Sequence, residues 1–307
     1  MNSKIIFGID GGGTHSRLIL KDGTGKVLAR SDAGSTNIYS ISKDEVFANI
    51  SILIESALNT AGIKGGDLKA GCFAGAGLGR QGEQDLFREY IKTLLCSNIP
   101  IKVCTDAEAL LCGGLNGLEG YCLIAGTGSV AMGRSADGRL VRAGGHGYML
   151  GDEGSAAWMG RTAIARILRS LEGRDLSSNM LAMLLEKTGL NEAGDFIRYV
   201  HHDADKAKIA ELAPIIGSSA ASGDALALDI LRRGAEELLL LVKSVIEQSP
   251  WIKNKELILA GGVLDNNKIF AEKLQNILAK TIPDLLVSGP KGTALEGACL
   301  LAENELL

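Results

Sequence analysis

The chain has 307 residues, of which 46% are hydrophobic and 22% are charged, a balance typical of globular proteins rather than disordered ones. A chain of this length can form two cores of roughly 150 residues each. The formal net charge of −4 excludes a strongly basic surface of the kind that binds nucleic acid or anionic membranes. We therefore expect neither a nucleic acid nor a membrane as a partner.

Targeting signals are absent from the sequence pattern, and the cysteines are scattered. The apolar run Ile5–Ile9 is too short for a signal peptide, and no stretch approaches the roughly 20 apolar residues of a membrane span. The six cysteines form no C-x-x-C pair, and Cys72, Cys104 and Cys122 lie in apolar runs, where a small buried thiol is usual. These features predict a reduced, cytoplasmic protein.

The first part of the chain alternates between strand and helix patterns. Strand patterns cover residues 4–10, 16–20, 27–30, 68–74 and 101–105. Helical apolar periods cover residues 43–61, 83–95 and 107–113. Three strands followed by alternating helices and strands predict a mixed sheet flanked by helices.

The pattern partly restarts after residue 120. Strand patterns cover residues 121–125, 129–134, 140–142, 256–260 and 285–287. Helical periods cover residues 155–170, 224–248, 268–280 and 293–303. Residues 172–222 are weakly patterned, as expected for an insertion specific to one lobe. The sequence thus predicts an α/β protein with two related lobes, residues 1–117 and residues 118–307, the second with helical additions.

The first strand pattern ends in a glycine-rich turn, Gly11-Gly12-Gly13-Thr14, and a second strand pattern follows it. Three glycines let the backbone approach a ligand and direct N–H groups at phosphate oxygens. Thr14 adds a hydroxyl, and the preceding Asp10 could hold a water molecule of a bound Mg²⁺. A hairpin turn without a ligand explains the same residues equally well. A Rossmann nucleotide loop is excluded because no helix follows the glycines, and no P-loop sequence is present.

Two further glycine turns follow strand patterns later in the chain. Gly126-Thr127-Gly128-Ser129 repeats the first turn at the opening hairpin of its lobe, so we expect the two turns to hold one polyphosphate from opposite sides. Gly261 and Gly262 lie between a strand and a helix, where a nucleoside could contact the helix N-terminus. A tight strand–helix turn without a ligand is an equally good interpretation of this third site.

A carboxylate follows the strand pattern at 101–105. Thr105 and Glu108 fit a capping box, with Thr105 as N-cap and Glu108 three residues later. Asp106 lies at the same helix start, where the helix dipole favours its ionised form. An ionised aspartate can accept and orient the hydroxyl of an acceptor in phosphoryl transfer. The capping and the catalytic interpretations are compatible.

A second acidic pair, Asp152 and Glu153, lies between two glycines. Adjacent acids in such a turn favour a polar ligand, such as sugar hydroxyls, although acids are also enriched at helix starts. Gly145 and His146 lie just upstream and could bring backbone close to the same ligand, with a solvated loop as the alternative for His146.

Taken together, these residues resemble the BadF/BadG/BcrA/BcrD-type ATPase family, and within it the N-acetylglucosamine kinases. The likeness is carried, in family order, by residues 10–14, 35–37, 105–107, 126–129, 144–155 and 260–262. It implies two ribonuclease-H-like lobes of the actin-like ATPase type, with a cleft between them that closes on ATP and Mg²⁺. It also implies transfer of the γ-phosphate of ATP to the 6-hydroxyl of an N-acetylated amino sugar, with N-acetylglucosamine first, and N-acetylmuramic acid and glucosamine open. A homodimer is common in the family.

The resemblance and the turn patterns together predict a role for each site residue. Predicted contacts to ATP are made by Gly11, Gly12, Gly13, Thr14, Gly126, Thr127, Gly128, Gly261 and Gly262. Predicted contacts to the sugar are made by Asn37, Asp106, Ser129, Gly145, His146 and Asp152. Asp106 is also the expected catalytic base toward the 6-hydroxyl, and Asp10 is the expected metal-site residue.

Two alternatives lie outside the sugar kinases. The other branch of the family comprises ATPases that energise electron transfer to a dehydratase or reductase, and these hold a [4Fe–4S] cluster with cysteines at a dimer interface. A cluster needs thiolates presented together, whereas no cysteine lies between Ser129 and Cys299. A non-catalytic actin-like binding module would bind nucleotide without sugar-stimulated ADP release, and no helix-turn-helix extension or zinc-binding cysteine cluster supports it.

Overall fold

The computed structural model describes residues 4–307, which form two compact units. The first unit contains the chain up to Gly120, the segment Arg134–Gly138 and the C-terminal segment Pro290–Leu307. The second unit contains Tyr121–Gly133 and Arg139–Gly289. Each unit has its own sheet and its own hydrophobic core.

The strands and helices follow the predicted order closely. The strands are β1 (Ile5–Gly11), β2 (Ser16–Lys21), β3 (Val27–Ala33), β4 (Leu68–Gly75), β5 (Ile101–Thr105), β6 (Gly120–Ala125), β7 (Ser129–Arg134), β8 (Leu140–Gly144), β9 (Glu256–Ala260) and β10 (Leu286–Ser288). The helices are α1 (Lys43–Ala61), α2 (Gln81–Leu95), α3 (Asp106–Leu115), α4 (Ala156–Leu171), α5 (Met180–Thr188), α6 (Phe196–Arg198), α7 (Lys206–Ala210), α8 (Ala213–Ala221), α9 (Ala225–Gln248), α10 (Gly262–Asn266), α11 (Lys268–Thr281) and α12 (Ala294–Asn304). Residues 172–222, which sequence patterns left unassigned, contain the four helices α5 to α8.

The two five-stranded sheets share one strand order. In the first, the order is β3-β2-β1-β4-β5, with β1 antiparallel to β2, β2 antiparallel to β3, and β1, β4 and β5 mutually parallel. In the second, the order β8-β7-β6-β9-β10 repeats this arrangement, and β6, β9 and β10 are parallel. The predicted α/β class with two related, ribonuclease-H-like lobes is therefore confirmed.

Local sequence signals explain why the elements begin and end where they do. Helix α1 starts at a complete capping box, in which Ser42 accepts the N–H of Glu45 and the Glu45 carboxylate accepts the N–H of Ser42. It ends at Gly62, whose φ of 67° is left-handed, a conformation that glycine adopts without strain. Its apolar period faces the core, because Val46, Ile50, Leu53, Ile54 and Ala57 are all buried.

The C-terminal helix α12 belongs to the first unit, although the predicted lobe of residues 118–307 included it. Its packing partners are β1, β4 and α3. The approach is close because glycines lie at the contacts: a side chain at Gly297 would overlap the carbonyl of Ala109, and one at Gly113 would overlap that of Thr293. A side chain at Gly8 of β1 would lie 2.8 Å from the backbone nitrogen of Cys299. The predicted division therefore differs from the structure at the C-terminus.

The contact between α3 and α12 generates a stability prediction. We expect Gly297→Ala to lower the free energy of unfolding by about 1–3 kcal/mol, because the added methyl group must displace helix backbone rather than a flexible side chain. Urea unfolding measures the change.

Gly82→Ala in α2 is the matched control, since no atom lies within 4 Å of the position of its methyl group. It should leave the protein as stable as the unaltered chain or more stable by up to about 1 kcal/mol. Equal stability of the Gly297→Ala protein and the unaltered protein would contradict this packing.

Candidate active site

In the first unit, the predicted site residues lie at one edge of the sheet. Gly11 pairs with Gly75, and Gly75 pairs with Thr105, so the carboxyl ends of β1, β4 and β5 are aligned. Asp10 lies on β1 just before this edge, and Asp106 begins α3 just after it. Ligands of open α/β sheets bind outside the carboxyl ends of parallel strands. The alignment brings together two carboxylates that are distant in sequence.

The turn after β1 is held by backbone hydrogen bonds that leave its tip open. The N–H of Gly12 donates to the carbonyl of His15 at 3.1 Å, and the carbonyl of Gly12 accepts the N–H of Thr36 at 3.1 Å. A side chain at Gly11 would overlap the hydroxyl of Thr36, which explains the glycine there. Gly13 and Thr14 are exposed. The tip can therefore present backbone N–H groups and the Thr14 hydroxyl to an anion.

Asn37 lies beside this turn, as the predicted sharing of one site requires. A methyl group on Gly13 would be 3.9 Å from Nδ2 of Asn37. The Asn37 side-chain oxygen accepts the N–H of Tyr39 at 2.9 Å, which fixes the orientation of the amide. Nδ2 is thus turned toward the glycine turn, where it can donate to a ligand.

Asp10 forms an ion pair with Arg17 on the neighbouring strand, at 2.9 Å between Oδ2 and the guanidinium. Arg17 is more than half exposed, so the pair contributes little to stability and can rearrange. Oδ1 of Asp10 has no partner among the hydrogen bonds of residues 4–307. A free carboxylate oxygen of this kind can accept a hydrogen bond from a metal-bound water, so Asp10 would fit Mg²⁺, an ion that retains several waters.

The carboxyl of Asp106 has an altered acidity. Its Oδ1 accepts the N–H of Ala107 at 2.9 Å. Asp106 is accessible to solvent at its surface, but protein atoms crowd the carboxyl at longer range, and this desolvation raises its pKa above the ordinary aspartate value. The hydrogen bond from Ala107 opposes the rise, and the negative charge of Asp10 adds to it. A carboxylate with a raised pKa is a stronger proton acceptor than an ordinary aspartate.

The predicted capping box at the start of α3 is only half correct. Thr105 is the N-cap and accepts the N–H of Glu108 at 3.2 Å. The Glu108 carboxylate does not return to Thr105; it is buried and pairs with Arg134 at 3.2 Å and with Lys102 at 3.5 Å. The buried guanidinium of Arg134 needs a counter-charge, and this need outweighs the local cap. Asp106 is not the cap, so its carboxylate is not required to begin the helix.

In the second unit, the turn Gly126–Ser129 connects β6 to β7 and contacts the start of α4. The N–H of Gly126 donates to the carbonyl of Gly128 at 2.9 Å, which closes the turn. The carbonyl of Gly126 accepts the N–H of Ala156 at 2.9 Å. Ser129 is buried, and its hydroxyl donates to the carbonyl of Glu153 at 2.7 Å. The turn and the Asp152–Glu153 segment are therefore in direct hydrogen-bonded contact, the arrangement that a shared site would require.

Asp152 is the most constrained of the predicted site residues. It is buried and has a left-handed backbone with φ of 61°, which is unfavourable for a residue other than glycine, asparagine or aspartate. Its Oδ1 accepts the N–H of Ser129 at 3.3 Å, and its Oδ2 lies 2.8 Å from Nζ of Lys206. That contact has the length of an ion pair but not the angles of a hydrogen bond, so Oδ2 accepts no hydrogen bond within residues 4–307. Lys206 therefore compensates the charge of Oδ2 without a well-aligned hydrogen bond, so this oxygen can still accept a hydrogen bond from a ligand hydroxyl.

The loop after β8 places Gly145 and His146 near the same turn. The N–H of Gly145 donates to the carbonyl of Ser129 at 2.9 Å, and Gly144 and Gly145 have φ of 77° and 70°. A methyl group on Gly151 would lie 3.4 Å from Cβ of His146, so His146 lies beside the segment that carries Asp152. His146 is exposed. The His146 side chain is therefore accessible to a ligand, and no single protein partner in residues 4–307 fixes its position.

A cavity of about 870 Å³ lies within the second unit. Gly126, Thr127 and Gly262 line it, so the structure brings the second and third predicted glycine turns to one cavity. Gly261 has φ of 109°, and a side chain there would lie 2.5 Å from the carbonyl oxygen of Ala125, which accounts for the glycine. The volume is within the usual range of roughly 300–1,000 Å³ for small-molecule sites.

Sequence analysis missed one wall of this cavity. Helices α7 and α8 contribute small residues to the lining: Ala207, Ala210, Ala213, Gly217 and Ala221. Their spacing of three and four residues was a detectable signal, since it puts small side chains on one helix face. Lys206, the partner of Asp152, was also missed, and no local motif marks it.

This chain is similar to known proteins along nearly its whole length. A model of the BadF/BadG/BcrA/BcrD ATPase family matches residues 7–302. The chain is 32% identical over 305 residues to the N-acetylmuramic acid/N-acetylglucosamine kinase of Clostridium acetobutylicum, covering 98% of this chain and 99% of that protein. It is 28% identical over 316 residues to the N-acetyl-D-glucosamine kinase of Dictyostelium discoideum, covering 99% of each.

A solved structure from Chromobacterium violaceum, provisionally named N-acetylglucosamine kinase, superposes with a TM-score of 0.72 and 25% identity, over 98% of this chain and 100% of that one. The chain belongs to the BadF/BadG/BcrA/BcrD ATPase family. Membership implies that it uses ATP, and it confirms the resemblance seen in the residue motifs.

The cysteines do not suit the electron-transfer branch of this family. Of the six, Cys96 alone is exposed. Burial raises the pKa of Cys112 to about 12 and that of Cys299 to about 11, which keeps both as thiols. Cluster ligands must be thiolates presented together at a surface. No group of three or more histidine, cysteine or acidic side chains placed for a metal occurs in residues 4–307.

The described part of the chain also has no helix long and apolar enough to cross a bilayer.

The two adjacent glycines at the cavity generate a matched prediction. Gly261→Ala should lower the free energy of unfolding by about 2 kcal/mol or more, since it combines a left-handed backbone with overlap of the Ala125 backbone. Gly262→Ala should cost less than about 1 kcal/mol, because its methyl group meets only the Asn266 amide at 3.6 Å. Thermal unfolding of both proteins tests the difference, and equal midpoints would contradict the strained geometry at Gly261.

Proposed function

We propose that this protein is an ATP-dependent kinase that transfers the γ-phosphate of ATP to the 6-hydroxyl of an N-acetylated amino sugar. The observation that carries the proposal is the similarity over the whole chain to a kinase of N-acetylmuramic acid and N-acetylglucosamine. N-acetylglucosamine is the first expected substrate. N-acetylmuramic acid, which adds a lactyl group at O3, and glucosamine are the next to test. We also propose that the protein works in the cytoplasm, where thiols stay reduced, and as a homodimer.

In the first unit, we assign the catalytic base to Asp106. In phosphoryl transfer the acceptor proton leaves late, so the base mainly orients the hydroxyl and accepts its proton. Desolvation of the carboxyl by surrounding protein atoms, with a smaller contribution from the negative charge of Asp10, raises the pKa of Asp106 and thereby increases its basicity. Gly11, Gly12, Gly13 and Thr14 bind phosphate oxygens through backbone N–H groups and the threonine hydroxyl. Asn37, whose Nδ2 faces Gly13, contacts the sugar.

Mg²⁺ is the expected metal, and Asp10 is its proposed protein ligand, through water. When bound, the ion would neutralise charge on the ATP phosphates. A single available carboxylate oxygen suits Mg²⁺ better than Ca²⁺, which takes more protein oxygen ligands. The loss of activity on chelation by EDTA, and its return with added Mg²⁺, would support this assignment.

In the second unit, we assign the remaining contacts to ATP and sugar. Gly126, Thr127 and Gly128 bind the phosphates, and the adenosine occupies the adjoining cavity near Gly261 and Gly262. Asp152 accepts sugar hydroxyls with Oδ2, which is paired with the Lys206 ammonium but accepts no hydrogen bond from it. Ser129, Gly145 and His146 surround that carboxylate and complete the proposed sugar contacts.

A panel of amino sugars in a coupled assay of ADP release tests the function. Release stimulated by one or more N-acetylated sugars, with the phosphate located at O6 by NMR, would support the proposal. Nucleotide binding without sugar-stimulated release would favour the non-catalytic alternative. A brown, iron-containing protein after anaerobic expression would favour the electron-transfer ATPase.

The assignment of Asp106 predicts a loss of turnover without loss of nucleotide binding. Asp106→Asn keeps the side-chain size and the hydrogen bond with Ala107 but removes the proton acceptor. We expect kcat to fall about 10²–10⁴-fold, with the Kd of ATP nearly unchanged. Full turnover by this variant would eliminate Asp106 as the base.

The raised pKa of Asp106 also predicts a pH dependence. The base must be ionised, so kcat/KM should fall as the pH drops through the Asp106 pKa, and this fall should begin at a higher pH than for an ordinary aspartate. The residual activity of Asp106→Asn should lack this acidic limb. An identical pH profile in the two proteins would assign the limb to another group.

A further inference from the structure

Lys206 lies where the nucleotide turn and the buried carboxylate of the second unit meet. It is the first residue of α7, and its Nζ is 2.8 Å from Oδ2 of Asp152. The Asp152 side chain is 3% exposed, whereas the Lys206 side chain is 35% exposed. Lys206 therefore compensates a buried charge from a position that still opens to solvent.

The ammonium group also touches the glycine turn. A methyl group on Gly128 would lie 2.7 Å from Nζ of Lys206, so the cation rests directly against the backbone at Gly128. The next residue, Ala207, lines the cavity together with Gly126 and Thr127. One short helix thus carries both the cavity wall and the cation beside the turn.

The ammonium keeps donors that Asp152 does not use. A lysine ammonium has three N–H donors, and Asp152 is its one ion-pair partner in the described residues. That contact lacks hydrogen-bond angles, and Oδ2 of Asp152 remains without a hydrogen-bond donor. The donors are therefore free for an anion held at the turn.

The other charged residues near the cavity are already neutralised or exposed. Lys268 lines the cavity but is 89% exposed and faces Glu272 at 3.8 Å. Glu211 also lines it and pairs with Lys187 at 3.1 Å. A protein cation at the turn would stabilise a polyanion in addition to Mg²⁺, since backbone N–H groups carry only partial charges and the protein is acidic overall. Lys206 is the cation placed for it.

We propose that Lys206 is a phosphate-binding residue of the nucleotide site, whose ammonium contacts an oxygen of the ATP polyphosphate at Gly126–Gly128 while it compensates Asp152. This inference rests on the proposed binding of ATP at that turn. The same cation then links the nucleotide to the carboxylate that receives the sugar. Because Oδ2 of Asp152 accepts no hydrogen bond from Lys206, it can accept a sugar hydroxyl while the ammonium contacts phosphate.

Binding of ATP and of adenosine, each measured calorimetrically without sugar, tests the proposal. Lys206→Met should weaken ATP binding by about 10-fold or more, the value of a charged hydrogen bond, and leave adenosine binding unchanged, because adenosine has no phosphate. Lys206→Arg, which keeps the charge, should retain most of the ATP affinity. Lys208→Met is the matched control on the same helix, because the Lys208 ammonium donates to the carbonyl of Asp203. The Lys208→Met protein should bind ATP normally.

A double variant separates the phosphate contact from simple charge compensation. Lys206→Met leaves Asp152 buried and unpaired, which lowers stability, and adding Asp152→Asn removes that charge. The double variant should regain thermal stability but not ATP affinity, and it carries the test if the single variant does not fold. Recovered ATP affinity in the double variant would overturn the proposal, because Lys206 would then act only through Asp152.

Two other results would also overturn it: normal ATP binding by Lys206→Met, or an equal loss of ATP and adenosine binding. Failure of the Lys206 proposal can be distinguished from failure of the proposed kinase function. If the unaltered protein binds ATP but phosphorylates none of the sugars, the kinase proposal fails while the binding test of Lys206 still stands. If the unaltered protein does not bind ATP, both proposals fail.

Discussion

The parallel register of β1, β4 and β5 is the constraint on which the first half of the site depends. Gly11, Gly75 and Thr105 are neighbours across these strands, so the chain segments that follow them leave the sheet at one edge. Asp10 and Asp106 are nearly a hundred residues apart, yet their carboxylates are close enough for the charge of one to raise the pKa of the other. The glycine turn follows β1 at this edge, and the amide of Asn37 lies beside the turn.

The second unit uses the same strand order for a different task. Its opening hairpin again carries a glycine turn, but α4 to α9 lie between β8 and β9, where the first unit has the single α-helix α1 between β3 and β4, and α7 and α8 form part of the cavity wall. Small side chains on these helices leave room where larger ones would fill the space. The repeated fold thus provides two glycine turns, while the added helices enclose a cavity whose volume is within the range of small-molecule sites.

Asp152 is a site carboxylate that the fold buries at a cost in stability. An isolated carboxylate at this depth would be strongly unfavourable. One N–H donor from Ser129 and the ammonium of Lys206 offset the burial, yet Oδ2 still lacks a hydrogen bond. A carboxylate that is both rigid and incompletely satisfied is suited to bind hydroxyl groups.

Outside residues 172–222, the sequence by itself determined the order of strands and helices. It also determined the three glycine turns and the carboxylates near them, because these follow from local periodicity and backbone freedom. It also indicated the family through motifs spread over the whole chain. Only the tertiary structure decided that α12 packs with the first unit, that Glu108 pairs with Arg134 rather than capping α3, and that Lys206 faces Asp152. These contacts join residues far apart in the chain, and close packing and the pairing of buried charge select them, which no local pattern encodes.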